Sequence, residues 1–89
     1  MAIVFVPSLM RDLTGGASRV EVSATNLREL LDALDAAYPG MKARLVDEES
    51  GRIKPEIVAA VNGETEHMGL LEPINEKTEV HFIPAIGGG

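Results

Sequence analysis

One stripe of leucines decides most of what this chain can become. Leu27, Leu30, Leu31, Leu34 and Tyr38 fall at i, i+3, i+4, i+7 and i+11, a single apolar face with a 3.6-residue period. Arg28, Glu29, Asp32 and Asp35 occupy the opposite side. Thr25 or Asn26 can cap the start, and Asn26 with Glu29 has the spacing of a capping box. Pro39-Gly40 stops the helix, and Met41 and Leu45 support one further short helical turn. A lone amphipathic helix cannot bury its own stripe. The other apolar runs are short and rich in β-branched residues, so its partner must be a sheet, giving two layers around one core.

The strands follow from those runs. Ala2-Ile3-Val4-Phe5-Val6 stops at Pro7-Ser8 and reads as a strand covered on at least one side. The segment 9–16 reads as an irregular excursion closed by Thr14-Gly15-Gly16. Polar and apolar residues alternate over Ser18-Arg19-Val20-Glu21-Val22-Ser23, as in a half-buried strand, and pairing with the first strand as an antiparallel hairpin is expected. A third strand over 56–61 runs into Asn62-Gly63, the strongest short hairpin signal. A brief fourth strand is expected over 64–68, then a connection through Leu70-Leu71 and Pro73, and a last strand over 79–83 ended by Pro84. The expected class is α+β: a mixed sheet in the order β-β-α-β-β-β, with one main helix packed across one face.

With 89 residues there is room for one domain and one modest core. Tyr38, Phe5 and Phe82 are the only aromatics, so aliphatic side chains must fill that core. The absence of cysteine excludes a disulfide framework, a thiolate metal site and a cysteine nucleophile. A net charge of −6 argues against nucleic acid as a partner, and it is equally the mark of basic protein partners or of a small domain kept soluble by its charge. No apolar run approaches the ~20 residues of a membrane span, and no secretory leader pattern is present, so a cytoplasmic location without a membrane partner is expected. His67 and His81 lack further ligands at metal-binding spacing, so no metal is expected. Asp47-Glu48-Glu49 reads as a solvated loop. Gly15-Gly16 reads as a tight turn, because it lacks the flanking pattern and Lys-Ser/Thr of a phosphate loop.

The chain closes on Pro84-Ala85-Ile86-Gly87-Gly88-Gly89, directly after the last strand. Glycines have no Cβ, so such a segment can lie flat against another backbone or thread a narrow channel. Six extended residues reach roughly 20 Å at ~3.3–3.6 Å each. The candidate reactive atom is therefore the carboxyl carbon of Gly89, with Gly87 and Gly88 giving clearance; a frayed terminus is the plain alternative. If Val80 and Phe82 point inward, His81 and Ile83 point outward beside this tail. An exposed Ile83 would suit docking, whereas an adjacent loop covering it would make it core.

The element order, the length and a last strand running straight into Gly-Gly resemble the β-grasp, ubiquitin-like sulfur carriers. These include the molybdopterin synthase small subunit, the thiamine-pathway carrier and the carrier feeding cysteine synthesis. The resemblance covers the whole chain and is most specific in Phe82-Ile83-Pro84-Ala85-Ile86-Gly87-Gly88-Gly89, which is similar to the family's strand-Pro-x-Val-small-Gly-Gly ending. Ile86 stands where valine is usual, and Gly87 where Ala, Ser or Thr is usual. Pro7-Ser8-Leu9-Met10-Arg11-Asp12-Leu13-Thr14-Gly15-Gly16 resembles the cysteine-synthesis branch.

This resemblance implies a β-grasp domain over 1–84 and a flexible tail over 85–89. It implies that an E1-like activating enzyme adenylates Gly89 with ATP and that a sulfur donor converts it to a thiocarboxylate. An acceptor enzyme, cysteine synthase-like or other, then takes the sulfur. The chain itself would be a co-substrate with no catalytic site and no bound cofactor. Arg11, His81, Ile83 and Ile86 are the implied docking residues, with a solubilising role the other reading of Arg11. A molybdopterin synthase small subunit and a ubiquitin-like protein modifier remain open within the same resemblance.

Overall fold

Val4 and Val80 stand side by side at the centre of the sheet, although they lie 76 positions apart in sequence. The computed structural model describes residues 1–66 and 68–84. Strand β1 (Ala2–Phe5) pairs antiparallel with β2 (Arg19–Val22) on one side and parallel with β5 (Glu79–Pro84) on the other. β5 in turn pairs antiparallel with β3 (Ile57–Val61), and β3 with the short β4 (Glu64–Thr65). The sheet is therefore mixed, in the order β2-β1-β5-β3-β4.

Helix α1 (Leu27–Ala37) lays its stripe on this sheet: Leu27, Leu30, Leu31 and Leu34 are fully buried together with Val4, Val80 and Phe82. Asn26 caps the helix, its side-chain oxygen accepting the Glu29 N–H at 2.8 Å. The return bond of the expected capping box lands one residue early. The Glu29 carboxylate accepts from both the hydroxyl (2.6 Å) and the N–H (2.9 Å) of Thr25. These bonds hold the Glu29 carboxyl below its ordinary pKa.

The second, short helix appears as expected. α2 (Met41–Leu45) follows Gly40, whose φ of 102° is a conformation that favours glycine. Asp35, on the outer face of α1, turns back so that its Oδ1 accepts from the N–H groups of Gly40 and Lys42. Met41 and Leu45 extend the core beneath. Asn62 and Gly63 make the hairpin turn, both with positive φ (52° and 85°). Asn62 also locks that turn to β5. Its Oδ1 accepts the Glu79 N–H at 2.9 Å, and its own N–H donates to the Glu79 carbonyl at 2.8 Å.

Two local expectations need correction. The segment 9–16 is ordered as a 3-10 helix over Ser8–Thr14, closed by Gly15 in the left-handed region at φ 68°. The fourth strand stops at Thr65 rather than continuing to 68; beyond it a 3-10 turn, Gly69–Leu71, packs against α1. Thr78, a buried polar residue, is satisfied because its hydroxyl accepts the Asn75 N–H at 2.9 Å.

Candidate functional site at the end of the last strand

β5 carries the chain out of the sheet, and its alternation fixes what surrounds that exit. Val80 and Phe82 point into the core, whereas His81 is half-buried and Ile83 is 46% exposed on the face away from α1. The parity assumed for this strand is correct, and among the described residues no loop covers Ile83. Parallel pairing sets His81 beside Phe5 of β1, and their rings stack. Antiparallel pairing then sets Arg19 of β2 on the other side of Phe5.

Arg11 reaches the same place from the 3-10 segment. It is half-buried, and its Nε donates to the Val6 carbonyl at 3.1 Å, just past the end of β1. The parallel register sets Phe5 level with His81, and Val6, the next residue, borders the same cleft as Phe82. Arg11, Arg19, Phe5, His81 and Ile83 consequently line one open cleft of about 540 Å³. Three of the four expected docking residues, Arg11, His81 and Ile83, are brought together. Ile86, Gly87, Gly88 and Gly89 lie outside the described residues.

Phe5 and Arg19 were not singled out from sequence. Their signal was strand parity: each occupies the position opposite to the buried Val4 or Val20. What sequence could not show was that β1 lies beside β5, which makes Phe5 a neighbour of His81. The cleft combines an aromatic-aliphatic floor with two guanidinium groups, in a chain whose overall charge is −6. Such a surface suits a protein contact with apolar and acidic groups. Among the described residues there is no group of three or more His, Asp or Glu able to hold a metal ion, and no helix is long and apolar enough to cross a membrane.

A five-stranded mixed sheet crossed by one main helix defines a β-grasp, ubiquitin-like protein. The sequence profile of the ThiS family matches residues 4–89, and the chain belongs to that family. It is similar to the sulfur carrier protein CysO of Mycobacterium tuberculosis, with 33% identity covering 97% of this chain and 96% of that one. The crystal structure of M. tuberculosis CysO superposes with a TM-score of 0.92 at 30% identity, covering 97% of this chain and all of the other. A chain of the Amycolatopsis orientalis BexX/CysO complex matches with a TM-score of 0.88 at 30% identity, over the full length of both chains. The small archaeal modifier protein 1 of Haloferax volcanii, at 24% identity and a TM-score of 0.73, shares the fold. The chain is a ubiquitin-like sulfur carrier, similar to proteins that carry sulfur rather than to catalysts.

Proposed function

We propose that this carrier bears sulfur as a thiocarboxylate on Gly89. The observation that carries the reading is the near-complete match to CysO in sequence and structure, joined to a glycine terminus that follows β5. The chemistry is forced by the electrophile. A carboxylate resists attack because oxide would have to leave. Attack of the Gly89 carboxylate on the α-phosphorus of ATP releases pyrophosphate and gives an acyl-adenylate. A sulfide equivalent then adds to the carbonyl carbon, AMP departs with the bonding pair, and a thiocarboxylate remains.

An E1-like activating enzyme supplies the ATP site, and this chain supplies the carboxyl group and a surface by which to be held. Gly87 and Gly88 leave the terminus slender enough to enter a narrow active site. The cleft of Arg11, His81 and Ile83 is the docking surface, joined by Ile86 in the tail. The acceptor is an enzyme of cysteine synthesis or one that makes another thiolated metabolite. Docking confines the thioacid to that enzyme's site, which raises its effective concentration there.

The first chemical step is checked by exchange of labelled pyrophosphate into ATP. The host activating enzyme should catalyse exchange only when this protein is present. Exchange that ignores the protein would refute the proposal.

A further inference from the structure

Large apolar side chains are exposed at Met1, Met68, Leu71 and Ile83 among the described residues. Ile83 belongs to the docking cleft. Met68 and Leu71 share one turn beside α1, on the opposite face of the sheet, and the turn is built to present them. The Glu66 carboxylate accepts the Gly69 N–H, and the Glu72 carboxylate accepts the Met68 N–H at 3.2 Å. Gly69 has φ 58°, and the Leu27 N–H donates to the Glu72 carbonyl at 2.9 Å, tying the turn to the start of α1. Two acidic side chains are thereby folded onto the turn's own backbone, while Met68 (56%) and Leu71 (66%) face water.

Clefts lie on both sides of Leu70. One, of about 450 Å³, has Leu31, Val46, Leu70 and Leu71 between Arg28 and Glu48. The other, of about 560 Å³, sets Ile53 and Met68 between Arg52 and Glu66. Arg28 and Glu48 are exposed and make no direct hydrogen bond or salt bridge among the described residues, although the Arg28 charge helps the Lys42 hydrogen bond, the larger cause, to hold the Asp32 carboxyl below its ordinary pKa. The surface thus carries an apolar knob, an apolar recess next to it, and charges of both signs at the rim, Arg28 and Lys42 against Glu48. A patch that contains its own complement is what a two-fold interface requires, because the same residues must serve both sides. A partner with flanks of a single charge sign would meet repulsion at one wall of the recess.

We propose that this face binds a second copy of the chain in a weak two-fold dimer. Leu71 and Met68 of each protomer enter the recess beside Leu70 of the other, and Arg28 faces Glu48 across the axis. The patch is small beside the ~800 Å² per partner of a standard interface, so half-association belongs at roughly 0.1–1 mM. Dimerisation leaves Arg11, His81 and Ile83 uncovered, because they lie on the other face of the sheet.

Sedimentation velocity on the full chain from about 10 μM to about 1 mM tests this. The parent should shift reversibly from monomer to dimer, and Leu71→Asp should stay monomeric throughout with an unchanged circular dichroism spectrum. Arg28→Glu and Glu48→Arg should each weaken association about tenfold, and combining them should restore it. These two sites are exposed, so this arm holds even if Leu71→Asp folds poorly. A parent that is monomeric at ~1 mM, a dimer that survives Leu71→Asp, or single reversals without effect would overturn the proposal.

Discussion

The rings of Phe5 and His81 lie parallel, 4.0 Å between centroids and 4° between planes, and the stack joins β1 to β5 at a point three residues before β5 ends. It forms the floor of the cleft in which Ile83 is exposed. The proposed grip on the activating enzyme centres on this cleft.

Replacing Ile83 by Asp should leave the domain folded, because that side chain lies outside the core. Binding to the activating enzyme should weaken by ~2 kcal/mol or more, roughly thirtyfold. Charge changes at Asp47 or Glu49, in a distant polar loop, should matter far less and mainly at low salt. Isothermal titration of the three variants beside thermal melts gives the comparison. Equal losses in all three would remove Ile83 from the interface.

Arg11 serves two ends at once. Its bond to the Val6 carbonyl should make Arg11→Ala cost about 0.5–1.5 kcal/mol of stability. A residue that only braced the chain would lower the melting temperature and leave the activating enzyme's KM for the carrier unchanged. A docking arginine raises that KM at temperatures where the variant is fully folded, and the account predicts the rise.

The stripe that organised the sequence should also dominate the stability. Leu31 and Leu34 are fully buried at the centre of α1. Truncating either to Ala should cost about 2–5 kcal/mol through lost burial and a cavity, a large share for a domain this small. Denaturant melts of both variants check this, and parent-like melting would mean that α1 does not pack on the sheet.

Period and turn chemistry made much of this legible in advance. The leucine stripe, the Asn62-Gly63 turn and the inward parity of Val80 and Phe82 are local patterns, and each is realised. Other features depend on which residues far apart in sequence become neighbours. The parallel pairing of β1 with β5 has no local signature, so Phe5 and Arg19 escaped notice as members of the cleft. The bond from Arg11 to Val6 depends on how the segment 8–14 folds back, and the glycine pair that closes it does not specify a 3-10 helix. Glu29 bonding to Thr25 rather than to the Asn26 N–H is a matter of side-chain geometry that spacing alone does not decide. The fourth strand ends at Thr65: Glu66 still donates its N–H to the Ala59 carbonyl of β3 at 3.0 Å, while its carboxylate accepts the Gly69 N–H as the chain enters the 3-10 turn.

Acid should weaken the helix start. The pKa of Glu29 is lowered from 4.5 by its bonds to the Thr25 hydroxyl and N–H, so the folded state holds the proton less tightly than the unfolded chain. That contribution is present above the unfolded value and is lost as pH falls through the folded one. Glu29→Gln should therefore melt below the parent at neutral pH, with the difference closing below about pH 4.5. A constant difference across that range would remove the Thr25–Glu29 bonds as the cause.

Intact-mass spectrometry tests the central claim most directly. The protein is incubated with the host activating enzyme, ATP and sulfide, beside one variant lacking Gly88-Gly89 and one extended by a residue after Gly89. The parent should gain the mass of exchanging one oxygen for one sulfur, while both variants fold and melt like it yet keep their original masses. A parent that never gains that mass, or terminal variants converted as readily as the parent, would contradict the account.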